Sequence, residues 1–228
     1  MQVDPCPPAQ AQQIRTDPLR RNDLTPAPGY GSSLAISSSG FPVLPRWCVW
    51  VQPAESVEPN RWESRWFGAV DRALDEWSAV LPIIRVDDPE RAHIRVERRR
   101  PPRRRLADGW RASNGRSVLQ VLEVQRQGVW RLEPQVTVMV SPELRAESQQ
   151  ATALHELGHA FGLWAHSSVP SDAMAPVQGA SPVLKLSPRD QLTLEWMRKQ
   201  PSQFGLPLPL PLPLPLPLPL PLPLPLKP

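Results

Sequence analysis

The chain has 228 residues, 40% of them hydrophobic and with nine Trp against one Tyr, enough for one packed domain with appendages. Its 32 prolines are too many for a single ordinary domain, so part of the chain is expected to lie outside the core. The formal net charge of +4 owes much to one run, Arg98, Arg99, Arg100, Arg103, Arg104 and Arg105. Such a run differs from the basic face or helix over which a nucleic-acid binder spreads its cations.

Residues 1–40 are rich in Gln, Pro, Ser and Gly without a sustained period, and read as a disordered leader. The opening, Met1 to Pro8, lacks the basic start and apolar run of a signal peptide. No stretch is long and apolar enough to predict a membrane span. Cys6 and Cys48 are too few for a disulfide scaffold and lack zinc-finger spacing. A Cys6–Cys48 bridge is disfavoured because Cys6 sits in the Pro-rich leader, and the redox compartment stays open.

The packed part is predicted to run from residue 41 to 205. Trp47 to Val51 suits a strand. Trp62, Trp66, Val70, Leu74, Trp77 and Leu81 then recur at helical spacing until Pro82. Ile83–Val86 and His93–Val96 read as short strands, and 98–105 as a solvated loop. Val118–Val124 and Val136–Val140 are the strongest strand candidates, with Gln127-Gly128 in the connection. A second helix follows Ser141-Pro142 and runs to Gly162. A last helix follows Ser187, a capping residue, with Pro188 at its first position. Leu and Pro alternate from 206 to the end region, which predicts an extended polyproline II tail over 206–228.

Three of the four histidines, His155, His159 and His166, fall between positions 155 and 166. On a helix, residues i and i+4 share a face, so His155 and His159 can offer two imidazoles to one metal. Glu156, beside the first, can act as general base toward water activated by that metal. A catalytic zinc takes three protein ligands and keeps one position open. Gly162 can end the helix and let the chain turn back to present His166. A two-histidine site completed by Asp172 or water is the alternative.

The run His155-Glu156-Leu157-Gly158-His159-Ala160-Phe161-Gly162, followed by His166-Ser167, resembles the metzincin zinc peptidases, and most nearly their matrixin-like bacterial members of cyanobacterial type. Ser171-Asp172-Ala173-Met174-Ala175-Pro176 resembles the Met-turn of that family, and Leu186 to Asp190 the opening of its final helix. The resemblance departs in two places. Three residues separate Gly162 from His166 where the family has two, and the Met-turn is one residue tighter.

The resemblance implies an α+β fold: a twisted mixed five-stranded sheet, an active-site helix and a small C-terminal subdomain with a final helix. It implies a zinc-dependent metalloendopeptidase with Glu156 catalytic, His155, His159 and His166 on one catalytic Zn2+, and Met174 as a structural floor. A peptide or protein substrate would lie antiparallel along an upper edge strand, for which Val118–Val124 is the candidate. Secretion or a periplasmic location follows by analogy only. The loop after His93 has no further histidine, so no second, structural zinc is expected and His93 is read as structural. Trp164 suits either a cleft wall or the core. Cys6 lacks the Arg-Cys-Gly setting of a zinc-blocking thiol. The rival readings are a zinc-binding homologue without turnover, and a partner- or nucleic-acid-binding module using the arginine loop.

Overall fold

The computed structural model describes residues 4–106, 109–176 and 181–209. Its strands, in chain order, are β1 (Ala11–Arg15), β2 (Arg20–Arg21), β3 (Ala35–Ile36), β4 (Trp47–Val51), β5 (Ile83–Arg85), β6 (Ile94–Glu97), β7 (Arg104–Leu106), β8 (Gly109–Arg111), β9 (Gly115–Arg126) and β10 (Val129–Val140). Its helices are α1 (Arg61–Ser78), α2 (Ala146–Ala160) and α3 (Pro188–Arg198). The main sheet is mixed and six-stranded, in the order β1-β9-β10-β6-β4-β5. β5, β4, β6 and β10 run parallel, β9 returns antiparallel to β10, and β1 lies antiparallel on β9. The fold is α+β.

Local chemistry accounts for the helices. Asn60 accepts from the amides of Trp62 and Glu63, and the Glu63 carboxylate reaches back to the Asn60 amide, a reciprocal cap that starts α1. The helix buries Trp66, Ala69, Val70, Ala73, Leu74 and Trp77 and leaves Trp62 exposed under Arg65. It ends at Ser78, three residues short of the periodic Leu81. α1 packs on α2, and α2 on β9 and β10. Two tryptophans lock these layers: Trp77 Nε1 donates to Leu154 O at 3.0 Å and Trp66 Nε1 to Val140 O at 3.1 Å. Ser187 and Asp190 form the same reciprocal cap at α3, with Pro188 in the first turn. Residues after α2, among them Leu163, Met174, Leu194, Met197 and Phe204, share the one hydrophobic core.

The expected disordered leader is corrected. Cys6 is bonded to Cys48, and Ala11–Arg15 pairs with Val121–Gln125, adding the sixth strand. The same pairing corrects the edge assignment, because β9 is an outer strand only beyond the reach of β1. The physical reason is backbone pairing. An uncovered β9 would expose a row of N–H and C=O groups, and Ala11–Arg15 is a proline-free stretch able to satisfy them. Most of β1 stays solvent-exposed, so no hydrophobic period betrayed it. Within the expected arginine loop, Arg104–Leu106 instead pairs with Gly109–Arg111 as a hairpin. Leu208 N–H donates to Trp130 O at 2.8 Å, so the start of the Leu-Pro segment lies along β10. The rest of that segment falls outside the described residues. No helix among the described residues is long and apolar enough to cross a membrane.

Candidate metal centre

α2 carries His155, Glu156 and His159 toward a cleft whose opposite wall is the start of β9. The helix ends in hydrogen bonds that satisfy its last carbonyls: Leu163 N–H to Gly158 O at 2.9 Å and Gly162 N–H to His159 O at 3.0 Å. Gly162 sits at φ +109°, a backbone state that disfavours any side chain. Two successive tight turns follow, Trp164 N–H to Gly162 O and Ala165 N–H to Leu163 O, both 2.8 Å. They take up the three residues between Gly162 and His166, and the chain returns with His166 facing the helix.

The imidazoles of His155, His159 and His166 converge. Their ligand nitrogens lie within 4.8 Å of one another, and among the described residues no other group of at least three His, Cys, Asp or Glu side chains does so. Nitrogens on a tetrahedral zinc lie about 3.4 Å apart, given Zn–N bonds near 2.0–2.1 Å, so small ring rotations suffice. Two tautomers are set by the backbone. His155 Nδ1 faces Ala173 O at 2.9 Å and His159 Nδ1 faces Leu163 O at 2.8 Å. A carbonyl can only accept, so each Nδ1 carries the proton and each Nε2 keeps a lone pair for a metal. Burial holds His155 down at about 4 and His159 at about 3, so both rings are neutral near pH 7, as ligands must be. The donor set therefore fits a divalent zinc.

Glu156 lies between His155 and His159 in sequence and is buried. Ser117 Oγ donates to its Oε2 at 2.8 Å, fixing the carboxylate against β9. Burial pushes its carboxyl up to about 7, against the lowering effect of Ser117, which suits a base working near neutrality. A bound cation beside it would bring that value down. Two cavities, of about 620 Å³ and 520 Å³, open on either side of His155 and Glu156, both lined by Ala112, Ser113 and Gly115. Trp164 stacks on His159 at 5.5 Å and also packs on the core, so it serves as both wall and filler.

Met174 is fully buried beneath this helix, and a Cβ added at Gly158 would meet its Sδ at 2.2 Å. Gly158 is thus the point where the helix and the 171–176 turn approach closely. Asp172, the alternative ligand, is turned to Ser167 Oγ and to Arg189 Nε, the latter at 3.0 Å. Asp190 accepts from the amides of Ala173 and Ser187 and from the Tyr30 hydroxyl. It thereby fixes the carbonyl that orients His155. Ser117 and Asp190 were not singled out as site residues from sequence, since their partners lie 39 and 17 residues away.

His93 sits elsewhere. Its Nδ1 accepts from Cys48 N–H at 3.0 Å and its Nε2 faces Glu133 at 3.6 Å. Burial, assisted by Arg126, pushes its pKa down to about 3, so this contact is not an ion pair at neutral pH. Of the arginine run, Arg98 pairs with Glu55 and Glu63, Arg99 with Glu97 and Arg100 with Glu143. No family model matches the chain, and no curated protein matches it.

Proposed function

We propose that the protein is a zinc-dependent metalloendopeptidase of metzincin type. The observation that carries this reading is the convergence of three imidazole nitrogens beside a buried carboxylate, with two of the three tautomers set for ligation. Zinc held by His155, His159 and His166 would supply Lewis acidity toward a peptide carbonyl and toward water. Glu156, held by Ser117, takes the proton from the attacking water and delivers it to the leaving amine. Met174 supports α2 from below, and the outer edge of β9 beside Ser117 offers backbone groups to an extended peptide. The order strand β4, helix α1, strands β5 and β6, hairpin β9–β10 and histidine-bearing helix α2, with the small β7–β8 pair set between β6 and β9, supports the resemblance. Neutralisation of three of the arginines by carboxylates weighs against the nucleic-acid alternative.

The test is zinc content measured alongside cleavage of unfolded casein, for the wild type, Glu156→Gln and His166→Ala. One zinc per chain, chelator-sensitive cleavage, and loss of turnover in Glu156→Gln with zinc retained are expected. Stoichiometric zinc with no cleavage by the wild type would reduce the protein to a metal binder. Full zinc retention in His166→Ala would remove His166 from the ligand set.

A further inference from the structure

β9 is twelve residues long, and β1 covers only its second half, ending with Arg15 opposite Val121. Among the described residues no strand pairs with the outer edge of Ser117 to Gln120. Ser141 N–H donates to Asn114 O, so the even-numbered backbone groups of β9 face β10. Those of Ser117 and Leu119 consequently face outward. Ser117 is also the residue that holds Glu156, so the open edge begins at the reacting centre and stops where β1 begins.

Resting on the hydrolytic reading above, we propose that β1 is a fixed end-stop of the substrate edge. The enzyme then recognises about four residues N-terminal to the scissile bond and gains nothing from more. A peptide adding to β9 in the same sense as β1 would have its upstream end opposite Gln120, where Arg15 already occupies the next position. Four strand residues span roughly 13 Å. At the closed end lies a cavity of about 400 Å³ lined by Ile14, Pro18, Leu19, Leu119 and Val121 among others, which suits an apolar side chain at the farthest recognised position.

The stop is anchored at both ends. Upstream, Cys6 is bonded to Cys48, Arg91 Nε donates to Cys6 O at 2.7 Å, and Gly128 N–H donates to the Gln10 side chain at 2.7 Å. Along the strand, Glu123 binds both Gln13 and Arg15. Downstream, Asp17 accepts from Ser38 N–H at 2.8 Å. Displacing β1 would break its ladder with β9 and the Glu123 contacts while both flanks stay tethered, so a substrate does not extend by pushing it aside.

The experiment uses the zinc-loaded full chain and one cleaved peptide extended stepwise, upstream from one to eight residues and separately downstream. Expected is a rise in kcat/KM of roughly 10- to 100-fold up to about four upstream residues, from the backbone bonds added, followed by a plateau. Gln13→Pro, which removes a ladder amide from β1, is expected to move that plateau outward. A steady gain to eight residues in the wild type, or a plateau confined to the downstream series, would overturn the end-stop while leaving the peptidase intact. Absence of cleavage of every peptide by zinc-loaded protein would sink the hydrolytic reading and this inference together.

Discussion

Replacing Gly158 by Ala sets two effects of opposite sign against each other. In a helix interior, Ala is favoured over Gly by about 1 kcal/mol, so propensity alone predicts a more stable protein. The new methyl, however, would lie 2.2 Å from Met174 Sδ and 3.0 Å from Trp77 Cζ2. Met174 and Trp77 are both fully buried, and Trp77 is tied to Leu154 O, so neither can swing into solvent. Overpacking of this kind costs about 1–3 kcal/mol, and more where nothing yields. The net expectation is a loss of about 1–2 kcal/mol, or a fall in Tm of roughly 3–6 °C for a domain of this size. Calorimetry of the chelator-treated proteins measures it without ligand linkage. A second variant tests the cause: in a Met174→Ala background the same change should be neutral or stabilising, because the methyl then enters vacated space. A higher Tm for the single Gly158→Ala variant would refute the packing argument, and with it the assignment of Met174 as the floor of the site.

Asp190→Ala leaves the amides of Ala173 and Ser187 and the Tyr30 hydroxyl without their acceptor, at about 1–3 kcal/mol for each buried donor. Because Ala173 O orients His155, zinc affinity should also fall by about 10- to 100-fold, measured by competition with a chromophoric chelator, while unchanged affinity would confine Asp190 to folding. His93 has a folded pKa of about 3 against 6.5 when free, so the unfolded state binds the extra proton between those values. Stability from this group is complete above pH 6.5 and is lost on acidification toward pH 3, with a slope of at most about 1.4 kcal/mol per pH unit. Urea titrations of His93→Gln should give a shallower acid limb, and a curve parallel to the wild type would contradict the burial argument. Replacing Cys6 and Cys48 by Ser opens a loop with a sequence separation of 42, which in the chain-entropy picture costs about 4 kcal/mol. Denaturant midpoints within error of the wild type would show the N-terminal segment to be held by its other bonds.

The convergence of the three histidines was legible because helical geometry turns local spacing into spatial proximity. His155 and His159 needed only the 3.6-residue turn, and His166 needed only a glycine where the helix stops. The three residues before His166 depart from the spacing of the motif that the sequence resembles, and nothing in their identity announced the two tight turns that absorb them. Ser117 was beyond reach for a different reason. It meets Glu156 only because β9 passes across the end of α2, and that crossing is a property of the whole sheet. Helix α1 was readable from its apolar spacing, and α3 from Ser187 and Pro188 at its start. The absence of a side-chain cap at Arg145 left the start of α2 less defined.

The N-terminal segment marks the limit of pattern reading. Hydrophobic periodicity detects elements that fold by burying side chains, and four of the five residues of β1 are exposed. Its position comes instead from backbone pairing with β9, a disulfide joining cysteines 42 positions apart, and carboxylates supplied by Glu123 and Asp17. None of these leaves a local signature, because each depends on a partner fixed only after the domain has formed. A low-hydrophobicity leader therefore reads the same whether it is free or pinned to an edge. The difference matters for the proposed function, since the edge it pins to is the one that runs on to Ser117, which binds Glu156.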